Sequence, residues 1–120
     1  MRTSLPAGFL RLEALAVVVA AVALYFDGEY AVWAFLAFLL APDLSFAGYL
    51  AGPRPGAVVY NLAHTYAFPV ALAAGALLAD EHGWPLQVAL IWAVHIGIDR
   101  VLGFGLKYPT GFGDTHLGRV

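Results

Sequence analysis

The chain has 120 residues, 62% hydrophobic and 12% charged, whereas soluble domains carry about 25% charged residues; this is the composition of a membrane protein. A formal net charge of -2 without any basic run argues against a nucleic-acid partner, because neutralising phosphates takes clustered Lys and Arg. The lack of cysteine removes disulfides and thiolate metal sites, so any metal would have nitrogen and oxygen ligands.

Four apolar stretches, at residues 9–26, 30–52, 56–79 and 84–105, each approach the roughly 20 residues that a helix needs to cross a bilayer. Short polar turns separate them: Asp27-Gly28-Glu29, Pro53-Arg54-Pro55 and Asp80-Glu81-His82-Gly83. Strands open to lipid would leave backbone groups unpaired, and the stretches lack the alternation of a barrel, so helices are the spanning elements. The expectation is an all-α fold, a transmembrane four-helix antiparallel bundle over 1–105 followed by a Gly-rich tail over 106–120.

In the first span, Arg2, Arg11 and an apolar run ending in Ala21-Val22-Ala23 imitate a signal peptide with a cleavage site. Glu13 within the segment, the continuation Leu24-Tyr25-Phe26 and the three later spans argue for a retained helix. The second and third spans contain Pro42 and Pro69. Each removes a backbone donor and can kink its helix, which a membrane helix tolerates when neighbours satisfy the freed carbonyl. Pro42 directly precedes Asp43 and is placed to aim that carboxylate inward. Trp33, Trp84 and Trp92 with Tyr30 suggest an aromatic belt at the outer interface, and the small residues at 47–52 and 73–75 suggest close helix packing. His82 is expected in solvent. The tail lacks helical periodicity. It reads as a loose end or as a segment that folds back to cap a cavity, carrying Asp114 and His116 to the same side as the polar residues described next.

All six basic residues, Arg2, Arg11, Arg54, Arg100, Lys107 and Arg119, fall at one end of the spans, whereas the first and third turns carry Asp27, Glu29, Asp80 and Glu81. The positive-inside rule then predicts that both termini are cytoplasmic. On that topology Glu13, Asp43, His64, His95 and Asp99 all lie roughly 6 to 15 Å inside the membrane from the cytoplasmic end, at about 1.5 Å per residue. Asn61 stands one turn from His64, and Asp99 one turn from His95, on shared helix faces. Charged side chains cost on the order of 2.5 to 3.5 kcal/mol each at the bilayer centre and normally face the bundle interior. One convergent polar site, to which every helix contributes, is therefore expected.

Two imidazoles with one or two carboxylates form a ligand set for zinc or another divalent metal. In this reading His64 and His95 hold the metal with Asp99 or Asp43. Glu13 or Asp43 acts as general base on a metal-bound water, and Asn61 or Tyr66 orients a substrate oxygen. The activity would be that of a metal-dependent hydrolase on a lipid-like or amphipathic substrate in the bilayer. Other readings stand open beside it. Asp99, Asp43 and Glu13 can pair with Arg11, Arg54 and Arg100 while the imidazoles hydrogen-bond across helices. That would be a packing network in a non-enzymatic accessory or structural subunit of a larger membrane complex. The layer can also carry a proton or ion path, or ligate a pigment or haem.

The blocks RLEALAV, APDLSFAGYLAGPRPGAVVYNLAHTYAFP and HIGIDRVLGFGLKYPTGFGDTHLGRV resemble a family of small four-helix bacterial inner-membrane proteins catalogued as a domain of unknown function. The resemblance covers nearly the whole chain. It implies a multi-pass protein of the cytoplasmic membrane and implies no activity. The same blocks contain Glu13, Asp43, Asn61, His64, His95, Asp99 and the tail residues Asp114 and His116.

Overall fold

The computed structural model describes residues 4–119. Four helical stretches in it are long and apolar enough to cross a membrane: Leu5–Asp27, Val32–Ala51, Pro53–Leu78 and Trp84–Leu102. This is the build of a membrane protein. Among the described residues there is no strand, only an isolated bridge between Lys107 and Thr115.

Helix α1, Leu5–Asp27, starts where the Ser4 hydroxyl accepts from the Ala7 amide and Pro6 occupies the first turn, which needs no donor. Its buried residues Ala7, Ala14 and Ala21 recur every seven positions, a seam of small side chains facing the longest-buried helix, α5 (Trp84–Leu102). On the α5 side, Gly97 lies so close to Val18 and the Ala14 carbonyl that a Cβ there would clash. Association inside lipid relies on such close backbone approach, because apolar contact alone gains little over lipid. Tyr25, Leu90, Ile91, Val94 and Ala21 form the apolar core between these two helices.

The two middle spans are both broken. Helix α2, Val32–Phe38, gives way to a 3-10 helix over Ala41–Ala51. Eleven residues make an unusually long run of this tighter winding. The cause is Pro42: a proline ring clashes with the carbonyl four residues earlier, which is that of Phe38, the last residue of α2. Helix α3, Pro53–His64, likewise stops before Thr65, and α4 runs over Ala67–Leu78. Pro69 stands four residues after Thr65 and sits in the first turn of α4, where its missing donor costs nothing. The packing expected around residues 47–52 is present, since Gly48 abuts Val59 of α3 and Gly56 abuts Tyr49. At position 75 it is not, because Gly75 faces open space.

Tyr30 donates from its hydroxyl to the His82 carbonyl at 2.6 Å, which brings the first and third turns to one end. At the other end Arg11 Nε donates to the Val101 carbonyl at 2.9 Å. The acidic and basic turns thus occupy opposite ends of the bundle. Trp33 and Trp84 are exposed near the acidic end, as a belt requires. Trp92 is not part of that belt, because its indole nitrogen donates to the Ala63 carbonyl at 2.6 Å. Helix α5 ends at Gly103, whose φ of 97° closes the helix while the Phe104 amide returns to the Asp99 carbonyl. Beyond it the chain folds back and finishes in the short helix α6, His116–Arg119.

Candidate metal centre

The helix breaks build the site. Asp43 lies in the first turn of the 3-10 helix and His64 is the last residue of α3, so each stands beside an interruption. His95 and Asp99 share a face of α5 one turn apart. The two last carbonyls of α3, freed by the break, are both taken: Trp92 donates to that of Ala63, and Arg100 Nη2 donates to that of His64 at 3.0 Å. The interruption therefore leaves no unpaired backbone oxygen at those two positions, the condition for broken helices in lipid.

Asp43, His64, His95 and Asp99 each offer one ligand atom, and these four atoms lie within 4.8 Å of one another. His64 Nε2 is 3.2 Å from His95 Nε2. Asp43 Oδ1 is 3.2 Å from His64 Nε2 and 3.1 Å from His95 Nε2. Asp99 Oδ2 is 3.2 Å from His95 Nε2 and 3.5 Å from His64 Nε2. A tetrahedral zinc with ligands at about 2.0 to 2.2 Å has edges of about 3.3 to 3.6 Å, so these separations are close to those of such a ligand shell.

The protonation of the rings is set by their other nitrogens. His64 Nδ1 donates to the Tyr60 carbonyl at 2.9 Å, and His95 Nδ1 donates to the Leu39 carbonyl at 2.6 Å. A carbonyl cannot donate, so both Nδ1 atoms carry hydrogen, and in the neutral rings both Nε2 lone pairs face inward with the carboxylate oxygens. Four acceptors then converge with no hydrogen among them. Protons can supply the missing hydrogens by charging the rings. Two imidazolium ions with centroids 5.1 Å apart repel by roughly 3 kcal/mol at an effective dielectric constant of about 20. Each gains the carboxylate oxygens 3.1 to 3.5 Å away, so protons compete with a cation for this site. A divalent cation at the centre satisfies all four acceptors. The Nδ1–H to carbonyl bonds are also the second-shell contacts that orient histidines toward a metal.

Both imidazoles are buried, whereas the Asp43 and Asp99 side chains remain 35% and 21% exposed. The cluster is thus walled by its histidines and accessible along its carboxylates. Among the described residues no arginine forms an ion pair with any of the four. Arg11 and Arg100 instead serve backbone carbonyls, and the acid–arginine pairing weighed from the sequence is not formed.

Other residues singled out from the sequence lie elsewhere. Glu13 is exposed on α1, outside the cluster. Asn61 points to the tail: its Oδ1 accepts from the Lys107 amide at 2.7 Å and its Nδ2 donates to the Lys107 carbonyl at 2.8 Å. The Tyr66 hydroxyl is buried without a hydrogen-bond partner among the described residues, and the Arg100 guanidinium lies 5.2 Å from the ring centre. Asp114 accepts from Arg119 Nε at 2.9 Å and from the Thr110 hydroxyl; these donors hold its carboxyl down at about 2. His116 Nδ1 accepts from the Leu106 amide, and the His116 amide donates to the Leu106 carbonyl, both at 2.9 Å. Burial first, then the charge of Arg100, lowers the pKa of this imidazole. Asp114 and His116 therefore shape the folded-back tail and do not face the four ligands.

Sequence reasoning passed over Tyr60 and Lys107. The Tyr60 ring stacks on His64 with centroids 3.7 Å apart and planes 7° from parallel. Its spacing of four residues from His64 was the available signal. Lys107 is buried, donates from Nζ to the Phe112 carbonyl at 2.6 Å, and lies 3.7 Å from the Phe112 ring centre and 4.6 Å from that of Tyr60. Burial pushes this ammonium below the usual lysine range. Nothing in a glycine-rich tail announced a buried lysine.

Compared with known proteins, residues 7–120 match the domain of unknown function DUF4260, and the chain belongs to that family. No curated protein and no solved structure matches it.

Proposed function

We propose that this member of the DUF4260 family is a multi-pass protein of the bacterial inner membrane that binds one divalent metal, zinc by choice of ligands, and uses it to hydrolyse a lipid-like ester. The observation that carries the reading is the convergence of His64 Nε2, His95 Nε2 and two carboxylate oxygens with both Nδ1 atoms committed as donors. The positive-inside rule, applied to the six basic residues of the sequence, supports a position for this centre in the cytoplasmic half of the bilayer.

A metal held by imidazoles and carboxylates lowers the pKa of bound water toward neutrality. With a metal held by these residues to activate a water, Asp43 or Asp99, both more exposed than the histidines, would take the water's proton and pass it to the departing alcohol as the water oxygen bonds to the ester carbonyl carbon and the ester C–O bond breaks. Glu13 stands outside the cluster, so in this reading the base comes from the ligand pair itself.

The test is metal content in protein purified without chelator, alongside ester hydrolysis in mixed micelles. Wild type should carry close to one zinc per chain and lose hydrolysis on chelation; His64→Ala and His95→Ala should carry little zinc and hydrolyse nothing. Wild type that stays metal-free after incubation with zinc would remove the proposal and favour a packing network in a larger complex.

A further inference from the structure

Two cavities flank the four-residue cluster along the membrane normal. Toward the acidic end, a cleft of about 260 Å3 is walled by Phe38, Pro42, Ala63, Val88, Ile91 and Trp92. Its lining is apolar, and Pro42 and Ala63 are the sequence neighbours of the ligands Asp43 and His64. The breaks at Phe38 and Thr65 leave this gap between the second, third and fourth spans. Toward the basic end, a cavity of about 440 Å3 lies between the end of α5 and the tail, lined by Gly103, Lys107, Phe112, Gly113 and Thr115 among others. Lys107 commits one donor to the Phe112 carbonyl, which leaves two of its three N–H groups. Among the described residues no carboxylate lies within ion-pair distance of this buried ammonium.

The order along α5 is Val88 and Ile91 on the cleft, His95 and Asp99 in the cluster, and Gly103 on the basic cavity. From Ile91 to Gly103 is 12 residues, about 18 Å at 1.5 Å per residue, slightly more than one leaflet's hydrocarbon depth of about 15 Å. An apolar slot, the four-residue cluster and a buried ammonium with no carboxylate at ion-pair distance among the described residues are thus stacked over the length of one lipid. The Phe112 and Tyr60 rings and the more distant Asp99 offset part of the cost of burying this charge, and an anionic group in the basic cavity would offset more of it.

We propose that the substrate is an acyl lipid with an anionic, phosphate-bearing headgroup: its chain fills the cleft beside Trp92, its ester reaches the Asp43–His64–His95–Asp99 centre, and its phosphate meets Lys107. This inference rests on the hydrolase reading above for the fate of the ester, while the lipid contacts stand on the two cavities. Lys107 acts here as the headgroup-selecting residue.

The experiment is native mass spectrometry of the full chain, zinc-loaded in detergent, with ether-linked diacyl lipids that cannot be hydrolysed. The probes are a phosphatidate, a phosphatidylcholine of the same chains, and inorganic phosphate. Wild type should retain the phosphatidate at least tenfold better than the phosphatidylcholine, and inorganic phosphate should not displace it. Lys107→Gln should make the two lipids equal, and Lys107→Arg should keep the preference. Val88→Trp, which fills the cleft, should lower retention of both lipids by the same factor. Equal retention of the two lipids by wild type, a preference that survives in Lys107→Gln, or displacement by inorganic phosphate would overturn the inference. Zinc is counted in the same spectra. Zinc bound without lipid preference refutes the lipid inference alone, and lipid preference without zinc refutes the hydrolase reading alone.

Discussion

Replacing Asn61 with leucine separates a structural role from a catalytic one. The side-chain amide makes two hydrogen bonds to the backbone of Lys107, at 2.7 and 2.8 Å, and they tie α3 to the tail 46 residues later. Each net bond is worth about 1 kcal/mol, and a buried partner left unsatisfied costs about 1 to 3 kcal/mol. Lys107 is only 8% exposed, so both of its backbone groups lose their partner where water enters poorly. Over the two groups the sum is about 2 to 6 kcal/mol against docking of the tail. At about 1.4 kcal/mol per tenfold, the open population rises by roughly 30-fold at the low end to about ten-thousandfold at the high end. Hydrogen exchange of the amides of residues 105–117 reads this directly, because the Lys107, Tyr108 and His116 amides are all bonded in the docked tail. Zinc content should stay as in wild type, since Asn61 contacts none of the four ligands. Exchange within threefold of wild type in Asn61→Leu would refute the anchoring argument.

Zinc retention should fall on acidification, because each Nε2 must be deprotonated to bind and protons compete for it; competition dialysis at stepped pH checks the slope, about tenfold per unit for each ring that takes up a proton. Tail docking has its own pH dependence. The lowered His116 pKa means that the docked tail favours the neutral ring. Docking is therefore at full strength above the free imidazole value of about 6.5 and weakens as the pH falls through the lowered value. Hydrogen exchange at the Leu106 amide should accelerate in that window, and His116→Asn should abolish the pH dependence. Arg100→Met strands the His64 carbonyl that Arg100 serves. It should destabilise the protein by about 1 to 3 kcal/mol, read as a lower thermal midpoint in detergent with the zinc-free and zinc-loaded forms shifted alike.

Hydropathy alone places the spans, because crossing a membrane demands length and apolarity more than any specific side chain. The ends differ by a few residues: α1 starts at Leu5 and α5 stops at Leu102, the former at the Ser4 cap and the latter at the left-handed Gly103. Depth was legible too, and it gathered Asp43, His64, His95 and Asp99 into one layer. Rotation about the helix axis was not. Helix α1 is apolar nearly all round, so no pattern says which face turns inward, and Glu13 shares the depth of the site while lying exposed. Asn61 stands one turn from His64, but its three-residue step turns the side chain about 60° away, and the backbone of Lys107 takes it. Pro42 and Pro69 signalled interruptions without revealing that these would free the Ala63 and His64 carbonyls for Trp92 and Arg100. The tail was the least legible part, since its fold depends on contacts with Phe46 and Tyr49 far away in sequence.

X-ray absorption at the zinc edge of the zinc-loaded chain decides whether His64, His95, Asp43 and Asp99 hold one divalent cation. One zinc per chain should show two imidazole nitrogens and two oxygens at about 2.0 to 2.2 Å, and His95→Ala half the imidazole scattering with whatever zinc it retains. A six-oxygen hydrated ion without imidazole scattering, or no zinc at all, would mean that the four side chains hold only one another.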